Sequence, residues 1–214
     1  AQRNALGFRT NRVSQVDSGN ERDLIKGDFN NYGLELKFLS KYKIKSQRSN
    51  LLIGSKFYKS DNTSQQGPGS NSNDADFNFY STEFPNYNNQ SNYQYPNLNI
   101  AFFGENLFYI NKKLSITPGF RIEHIKTESI GYYKKINLDG AGNVILNQQL
   151  FNNNIRERSF VLLGAGLSYK SSVEIYGNFS KNFRSVTFAD ISIINPAYSI
   201  DPNISDEKGH TIDF

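Results

Sequence analysis

The stretch LNIAFFGENLFYINKKLSITPGFRIEHIKTE, residues 98–128, decides the fold of this chain. It predicts two long strands joined by a polar turn at 111–113. In the second strand, Phe120 and Ile122 share one face and Arg121 and Glu123 share the other, because successive strand side chains alternate. Such strands fit a large sheet covered on one side, or an outer-membrane barrel wall whose apolar face meets lipid.

Composition narrows the classes of protein. The chain has 214 residues, enough for one domain or part of a larger one. Its mean hydropathy is -0.60 and no membrane-spanning helix is predicted. This does not exclude a membrane protein, because the strands of a membrane barrel carry only a weak alternating signal. The absence of cysteine excludes disulfides and thiol catalysis. The net charge of +4 comes from lysines and arginines scattered among carboxylates, which argues against nucleic-acid binding.

Alternating apolar and polar residues recur along most of the chain. They predict further strands at 32–38, 50–59, 159–169 and 173–184, with parts of two more near the ends of the chain. The predicted short turns are 45–48, 111–113 and 170–172. The predicted long loops are about 10–31, 60–97, 129–158 and 184–207.

Short and long connections therefore alternate. In an up-and-down meander, all short turns lie at one end and all long loops at the other, as in bacterial outer-membrane barrels. A Greek-key sandwich would scatter its long connections over both ends. We therefore predict an all-β, antiparallel up-and-down transmembrane β-barrel, present as a partial wall of roughly eight strands, with residues 1–214 in one barrel domain.

Two of the predicted loops have structure of their own. The segment 60–97 is rich in Asn, Ser and Gln, but its aromatic residues, Tyr80 and Tyr87 among them, are too dense for a disordered linker. We predict a partly ordered surface loop there. Within 129–158, two short apolar patterns flank Asp139–Asn143, which predicts a hairpin that extends beyond the wall.

Two segments carry a family resemblance. NLFYINKKLSITPGFR (106–121) resembles a barrel hairpin of TonB-dependent outer-membrane receptors, and YGNFSKNFRSVTF (176–188) resembles a later strand and loop of the same family. Ser185 and Val186 replace the usual pair of prolines. Asn195-Pro196 and the acidic residues after it are similar in style to the next family passage, and the chain looks closest to the ferric-citrate receptor branch.

The resemblance implies a function. Such receptors are barrels of about 22 strands that enclose an N-terminal plug, and they import a metal chelate such as ferric dicitrate or a siderophore. The implied partners are outer-membrane lipid, the protein's own plug domain, and the inner-membrane energy-transducing complex that acts through that plug. The implied location is the bacterial outer membrane. The chain itself is expected to contain neither the plug nor the remaining strands.

Chemistry-bearing residues favour binding over catalysis. No nucleophile elbow occurs, and the two histidines, His124 and His210, lie at strand ends without a ligand pattern, so we predict neither an enzyme nor a metal site or cofactor. Cations on the lumen face would attract an anionic chelate, and loop tyrosines offer stacking faces. The candidate ligand contacts are Arg121, Arg184, Lys56, Tyr80 and Tyr87.

Two other interpretations stay open on the sequence. One is a small closed outer-membrane barrel of eight to ten strands that serves as an adhesin or a structural protein. The other is a soluble, one-sided β-sheet module that binds carbohydrate through its loop tyrosines. The number of strands and the pairing of the two outermost strands separate the first alternative from the receptor, and extraction without detergent would favour the second.

Overall fold

The computed structural model describes residues 2–7, 21–72, 74–186 and 205–214. Within these residues the chain is one antiparallel sheet of eight strands, arranged in sequence order, and no helix is present. The strands are β1 Gln2–Gly7, β2 Asp23–Ile44, β3 Gln47–Pro68, β4 Ser91–Tyr109, β5 Leu114–Leu138, β6 Val144–Lys170, β7 Glu174–Arg184 and β8 Glu207–Asp213. The predicted all-β meander is confirmed, and so is the number of strands.

The sheet is open within the described residues. β1 pairs only with β2, and β8 pairs only with β7, so the two outermost strands are not neighbours. The registers Gln2 with Asp28 and Asn178 with Asp213 fix these two pairs. A small closed barrel of eight strands is therefore not the arrangement that the described strands adopt.

Contacts divide the chain into two compact units. Unit 1 comprises Ala1–Tyr32, Tyr58–Leu98 and Lys126–Glu157. Unit 2 comprises Gly33–Phe57, Asn99–Ile125 and Arg158–Phe214.

In unit 2 the predicted apolar face is exposed. Ile100, Phe102 and Ile122 are 46%, 47% and 48% exposed, whereas Ala101 between the first two is 1% exposed. Soluble monomers rarely leave contiguous apolar surface of this kind uncovered. An apolar face without a protein cover is what a lipid-facing wall requires.

One glycine shapes the other face of unit 2. A Cβ at Gly54 would lie 2.8 Å from the carbonyl oxygen of Leu36 and closer still to the ring of Phe103. Because backbone cannot give way as a flexible side chain can, position 54 has room for glycine alone. The space that this glycine leaves is filled by the Phe103 ring.

The predicted bounds of the long loops are wrong in three places. β3 continues to Pro68 and β4 begins at Ser91, so the loop predicted at 60–97 spans 69–90. β5 and β6 fill most of 129–158 and leave a tip at 139–143, while β2 begins at Asp23 inside the loop predicted at 10–31. The added parts of β3 and β4, residues 60–68 and 91–97, consist mostly of polar residues, so they carry no apolar alternation that would mark a strand.

The remaining loop predictions fall partly outside the described residues. β7 ends at Arg184 and β8 begins at Glu207, which agrees with the predicted loop at 184–207, but residues 187–204 are not described. Residues 8–20 of the first predicted loop also lie outside the description. The hairpin predicted around Asp139–Asn143 is confirmed: Asp139 Oδ1 accepts hydrogen bonds from the backbone N–H groups of Ala141 and Asn143 at 2.9 and 2.8 Å.

Candidate ligand-binding site

A charged cluster lies on the polar face of unit 2. Arg121 forms an ion pair with Glu123, whose carboxylate also accepts a hydrogen bond from the Asn99 side-chain amide at 2.6 Å. The Arg121 guanidinium lies 5.5 Å from the centre of the Phe103 ring, a cation–π distance. Glu123 of β5 and Phe103 of β4 thus hold the predicted contact Arg121 in a fixed position, because its charge, its hydrogen bond and its flat face all have partners.

Two further cations belong to this charged cluster. Lys37 forms an ion pair with Glu35, and both side chains are largely exposed. Lys56, half-buried on β3, lies within electrostatic range of Glu35 and Glu123. Among the described residues, no carboxylate forms an ion pair with Lys56. The cluster therefore holds three cations against two carboxylates.

Arg184 is placed elsewhere in unit 2. Its guanidinium donates a hydrogen bond to Glu207 at 2.7 Å, with both side chains more than half exposed. Close to it, Arg158 is 8% exposed in its side chain and pairs with Asp206 at 2.9 Å. Arg158 also donates to the Val186 carbonyl oxygen at 3.0 Å, and the Val186 N–H donates to Asp206 at 2.9 Å. This Arg158 latch fixes the two ends of the connection between β7 and β8.

The loop 69–90 in unit 1 is held by a second arginine. Arg22, 6% exposed, donates from its guanidinium to the carbonyl oxygens of Ser70 and Asp74 at 2.9 and 2.7 Å. It also donates to the hydroxyl groups of Ser70 and Ser72 at 2.5 and 3.3 Å. The next residue, Asp23, accepts from Gln66. We call Arg22 and Asp23 the loop anchor.

The two predicted loop tyrosines have structural partners. Tyr87 is 5% exposed and its hydroxyl donates to Asp23 at 2.7 Å, so this geometry disfavours direct contact with a ligand. The Tyr80 hydroxyl donates to Asp76 at 2.6 Å. That hydrogen bond holds the pKa of Asp76 below its usual range and raises the pKa of Tyr80. Ligand contact by either tyrosine stays a prediction.

A small cavity of about 190 Å³ opens beside this loop. Its lining combines two aromatic rings, Phe79 and Tyr132, with neutral amides and hydroxyls, among them Gln65, Gln66 and Gln90. Phe79 packs against Gly67, where an added Cβ would lie 3.0 Å from the ring, and the Lys26 ammonium lies 5.8 Å from the ring centre. The cavity can stack against a flat face and hydrogen-bond a neutral polar group.

The two histidines take no part in a metal site that the structure describes. His124 shares a hydrogen bond with the Ser159 hydroxyl at 2.9 Å, and His210 lies beside the Phe179 ring. In the described ranges, no three histidine or acidic side chains are grouped to hold a metal ion. Within those same ranges, no helix is long and apolar enough to cross a membrane.

Sequence reasoning placed Arg121 and Lys56 on the polar face, and their contact with a ligand stays a prediction. It did not name the residues that surround them. Asn99 and Phe103 lie on the same face as Arg121, so the alternation that marked Arg121 could have marked them as well. Arg22 could not have been found in this way. Its partners are 48 to 52 residues away along the chain, and no local pattern connects them.

The fold and the charged face together define a section of an outer-membrane barrel: long antiparallel strands, an uncovered apolar face and a charged opposite face. Comparison with known families agrees. Residues 2–214 match the model of the family described as TonB dependent receptor-like, beta-barrel. The chain therefore belongs to the TonB-dependent receptor β-barrel family, whose members are outer-membrane receptors and transporters rather than enzymes. No curated protein matches the chain.

Proposed function

We propose that the chain is part of the barrel wall of an importer that takes up an anionic metal chelate, such as ferric dicitrate or a ferric siderophore. The single observation that carries the proposal is the charged cluster of unit 2, with its excess cation and its half-buried Lys56. A site with positive potential raises the local concentration of an anion. Because the chain belongs to a family of importing receptors, we propose that this positive potential attracts the imported anion.

The rest of the transport cycle follows from the family. We propose that further strands complete the barrel beyond β1 and β8, that a plug domain fills the lumen, and that the inner-membrane energy-transducing complex acts through that plug. In this arrangement the tip at 139–143 and the loop 69–90 face the outside of the cell. The short turns at 45–46 and 111–113 face the periplasm.

The proposed ligand is tested by titrating the purified protein with ferric dicitrate. Quenching of tyrosine fluorescence measures the binding. Lys56→Gln removes the excess cation without breaking an ion pair, and we expect affinity to fall about tenfold, near 1.4 kcal/mol. Arg121→Gln should weaken binding further, because it also leaves Glu123 without its cation. The matched control is Lys59→Gln, an exposed lysine of the same strand outside the cluster.

Two results would count against the chelate. Equal affinity in Lys56→Gln and the unchanged protein would remove the cluster from the binding site. Absence of chelate binding together with binding of a neutral oligosaccharide would favour a second candidate, uptake of a neutral polyhydroxylated ligand. The cavity lined by Phe79, Tyr132 and neutral amides is the observation that favours this candidate.

A further inference from the structure

The short turns of unit 2 carry a row of cations that the proposed uptake does not use. Seven lysines and arginines lie at or beside the three turns, and Glu174 is the one acidic residue within the sequence segments 41–50, 109–114 and 168–175. We call this row the basic turn edge; its cations are Lys41, Lys43, Lys45, Arg48, Lys112, Lys113 and Lys170. The whole chain has 24 basic and 20 acidic residues, so this local balance differs sharply from the average.

Most of the cations at the turns have no carboxylate partner among the described residues. Lys170 pairs with Glu174 at 3.3 Å, and Lys113 donates to the Ser171 hydroxyl at 3.1 Å. Among the described residues, no ion pair is formed by the other five, all of them exposed. Arg121, Arg158 and Arg184 each pair with a carboxylate. Within the described residues, the positive charge of the three turns is therefore offset by a single ion pair, that of Lys170 with Glu174.

The three turns form one continuous edge. The backbone N–H of Lys170 donates to the carbonyl oxygen of Lys113 at 2.7 Å, which joins the second turn to the third. A cavity of about 650 Å³ joins the first turn to the second. Lys41, Lys43, Arg48 and Lys112 line it, together with Tyr109 and neutral polar residues. Such a volume is large enough for a phosphodiester headgroup with its glycerol.

Exposed apolar and aromatic side chains lie directly beside the cations. Ile110 and Val173 are 53% and 67% exposed, and they adjoin the second and third turns. Tyr42, Tyr109 and Tyr169 are 36%, 40% and 44% exposed, and the Tyr42 hydroxyl donates to Asn106 at 3.2 Å. Tyrosines at the level of the headgroups, with a basic row next to them, are the pattern of a protein surface at an anionic lipid leaflet. An acidic protein partner would not require this apolar belt.

We propose that the basic turn edge binds the phosphate groups of anionic phospholipids in the periplasmic leaflet of the outer membrane. The inference rests on the proposed orientation, in which the short turns face the periplasm. Each cation near an anionic leaflet adds a modest attraction, and the six lysines and one arginine together hold the barrel at a fixed depth.

Lipid retention tests the proposal. The protein is inserted into vesicles of phosphatidylcholine and phosphatidylglycerol, extracted in mild detergent, and analysed by mass spectrometry for bound lipid. We expect the unchanged protein to retain phosphatidylglycerol preferentially. Lys43→Gln with Lys45→Gln, and Lys112→Gln with Lys113→Gln, should each lower that retention at least threefold. The matched control is Lys59→Gln with Lys135→Gln, which removes two exposed lysines away from the turns and should change nothing.

Other outcomes would overturn the proposal. Equal retention in the turn variants would show that the edge does not hold lipid. Complete displacement of the lipid by inorganic phosphate would indicate a site for small anions, and tighter binding of polyglutamate would indicate an acidic protein partner. Insertion into the mixed vesicles without preferential retention of phosphatidylglycerol would contradict this inference alone. Failure to insert into any vesicle would instead contradict the proposed function.

Discussion

The loop anchor in unit 1 and the basic turn edge in unit 2 use the same charge in opposite ways. Arg22 is 6% exposed, and its guanidinium donates hydrogen bonds to four oxygen atoms of one loop. Five of the seven cations of the turn edge are exposed and form no ion pair among the described residues. A buried cation must be satisfied by the protein itself, because desolvation is costly. An exposed, unpaired row leaves its charge available to something outside the chain.

This difference separates structural from interacting cations. The Arg158 latch behaves like the loop anchor, since its guanidinium is buried and bonded to both Asp206 and the Val186 carbonyl oxygen. Lys56 belongs with the interacting group, although it lies on a strand. Substituting the buried arginines should therefore affect local order, and substituting the exposed lysines should affect binding.

The largest effect is expected at Arg22. Arg22→Ala removes four hydrogen bonds from the loop 69–90, and we expect the free energy of opening this loop to fall by about 3 kcal/mol. Hydrogen exchange of the amides between 69 and 90 measures the change. Arg22→Lys is the informative comparison: a lysine has no planar fork and should recover less than half of the loss. Unchanged exchange in Arg22→Ala would show that the anchor does not hold the loop.

A smaller effect is expected at Arg158. Arg158→Ala leaves the partly buried Asp206 without its cation, and we expect a loss of about 2 kcal/mol, reduced from the fully buried case by solvent screening. Thermal unfolding of the folded protein in detergent measures it. The matched variant Arg184→Ala breaks an exposed pair and should cost less than about 0.5 kcal/mol. Equal losses in the two variants would contradict the distinction between buried and exposed pairs.

A gain is expected at the first short turn. Lys45 and Ser46 have φ angles of 50° and 87°, the left-handed region that a tight hairpin requires at both central positions. Ser46→Gly should stabilise the hairpin by about 1 kcal/mol, because glycine adopts this conformation without a steric cost. The opposite exchange, Gly142→Ala at φ 86°, should destabilise its own turn by a similar amount. A loss of stability in Ser46→Gly would contradict this geometry.

The smallest effect is a dependence on pH in the loop 69–90. Because the Tyr80 hydroxyl lowers the pKa of Asp76, this contact stabilises the loop above the usual pKa of aspartate and is lost as the pH falls through the lowered value. Because Asp76 raises the pKa of Tyr80, the contact is also lost as the pH rises through that raised value. Hydrogen exchange at Tyr80 across this range measures both limits. Asp76→Ala should abolish the pH dependence at both limits. If either pH-dependent change persists in this variant, it arises from other groups.

The sequence allowed much of unit 2 to be predicted and less of unit 1. The hairpin of β4 and β5 was predictable because lipid imposes an apolar face on every second residue, as Ile100 and Phe102 illustrate. β3 beyond Ser60 and β4 before Leu98 are not predictable as strand, because their residues are mostly polar and show no apolar alternation. The anchor at Arg22 depends on partners 48 to 52 residues away. Contacts of this range follow from the fold and not from local sequence.

The candidate site shows the same division. Alternation was enough to place Arg121 and Lys56 on one face, but not to show that Arg121 is already paired with Glu123 and that Lys56 is not. The composition of the loop indicated exposed tyrosines, and Tyr87 is buried against Asp23 instead. Aromatic density therefore does not identify which rings of the loop are available to a ligand.

The orientation of the wall is the central claim, and accessibility of single cysteines tests it most directly. The chain has no cysteine, so Ala141→Cys at the hairpin tip and Ser172→Cys at a short turn each introduce one thiol. Intact cells are treated with a maleimide that does not cross membranes. Labelling of Ala141→Cys in intact cells, and of Ser172→Cys only after the outer membrane is opened, is the predicted result. Labelling of Ser172→Cys in intact cells, with Ala141→Cys protected, would contradict the account.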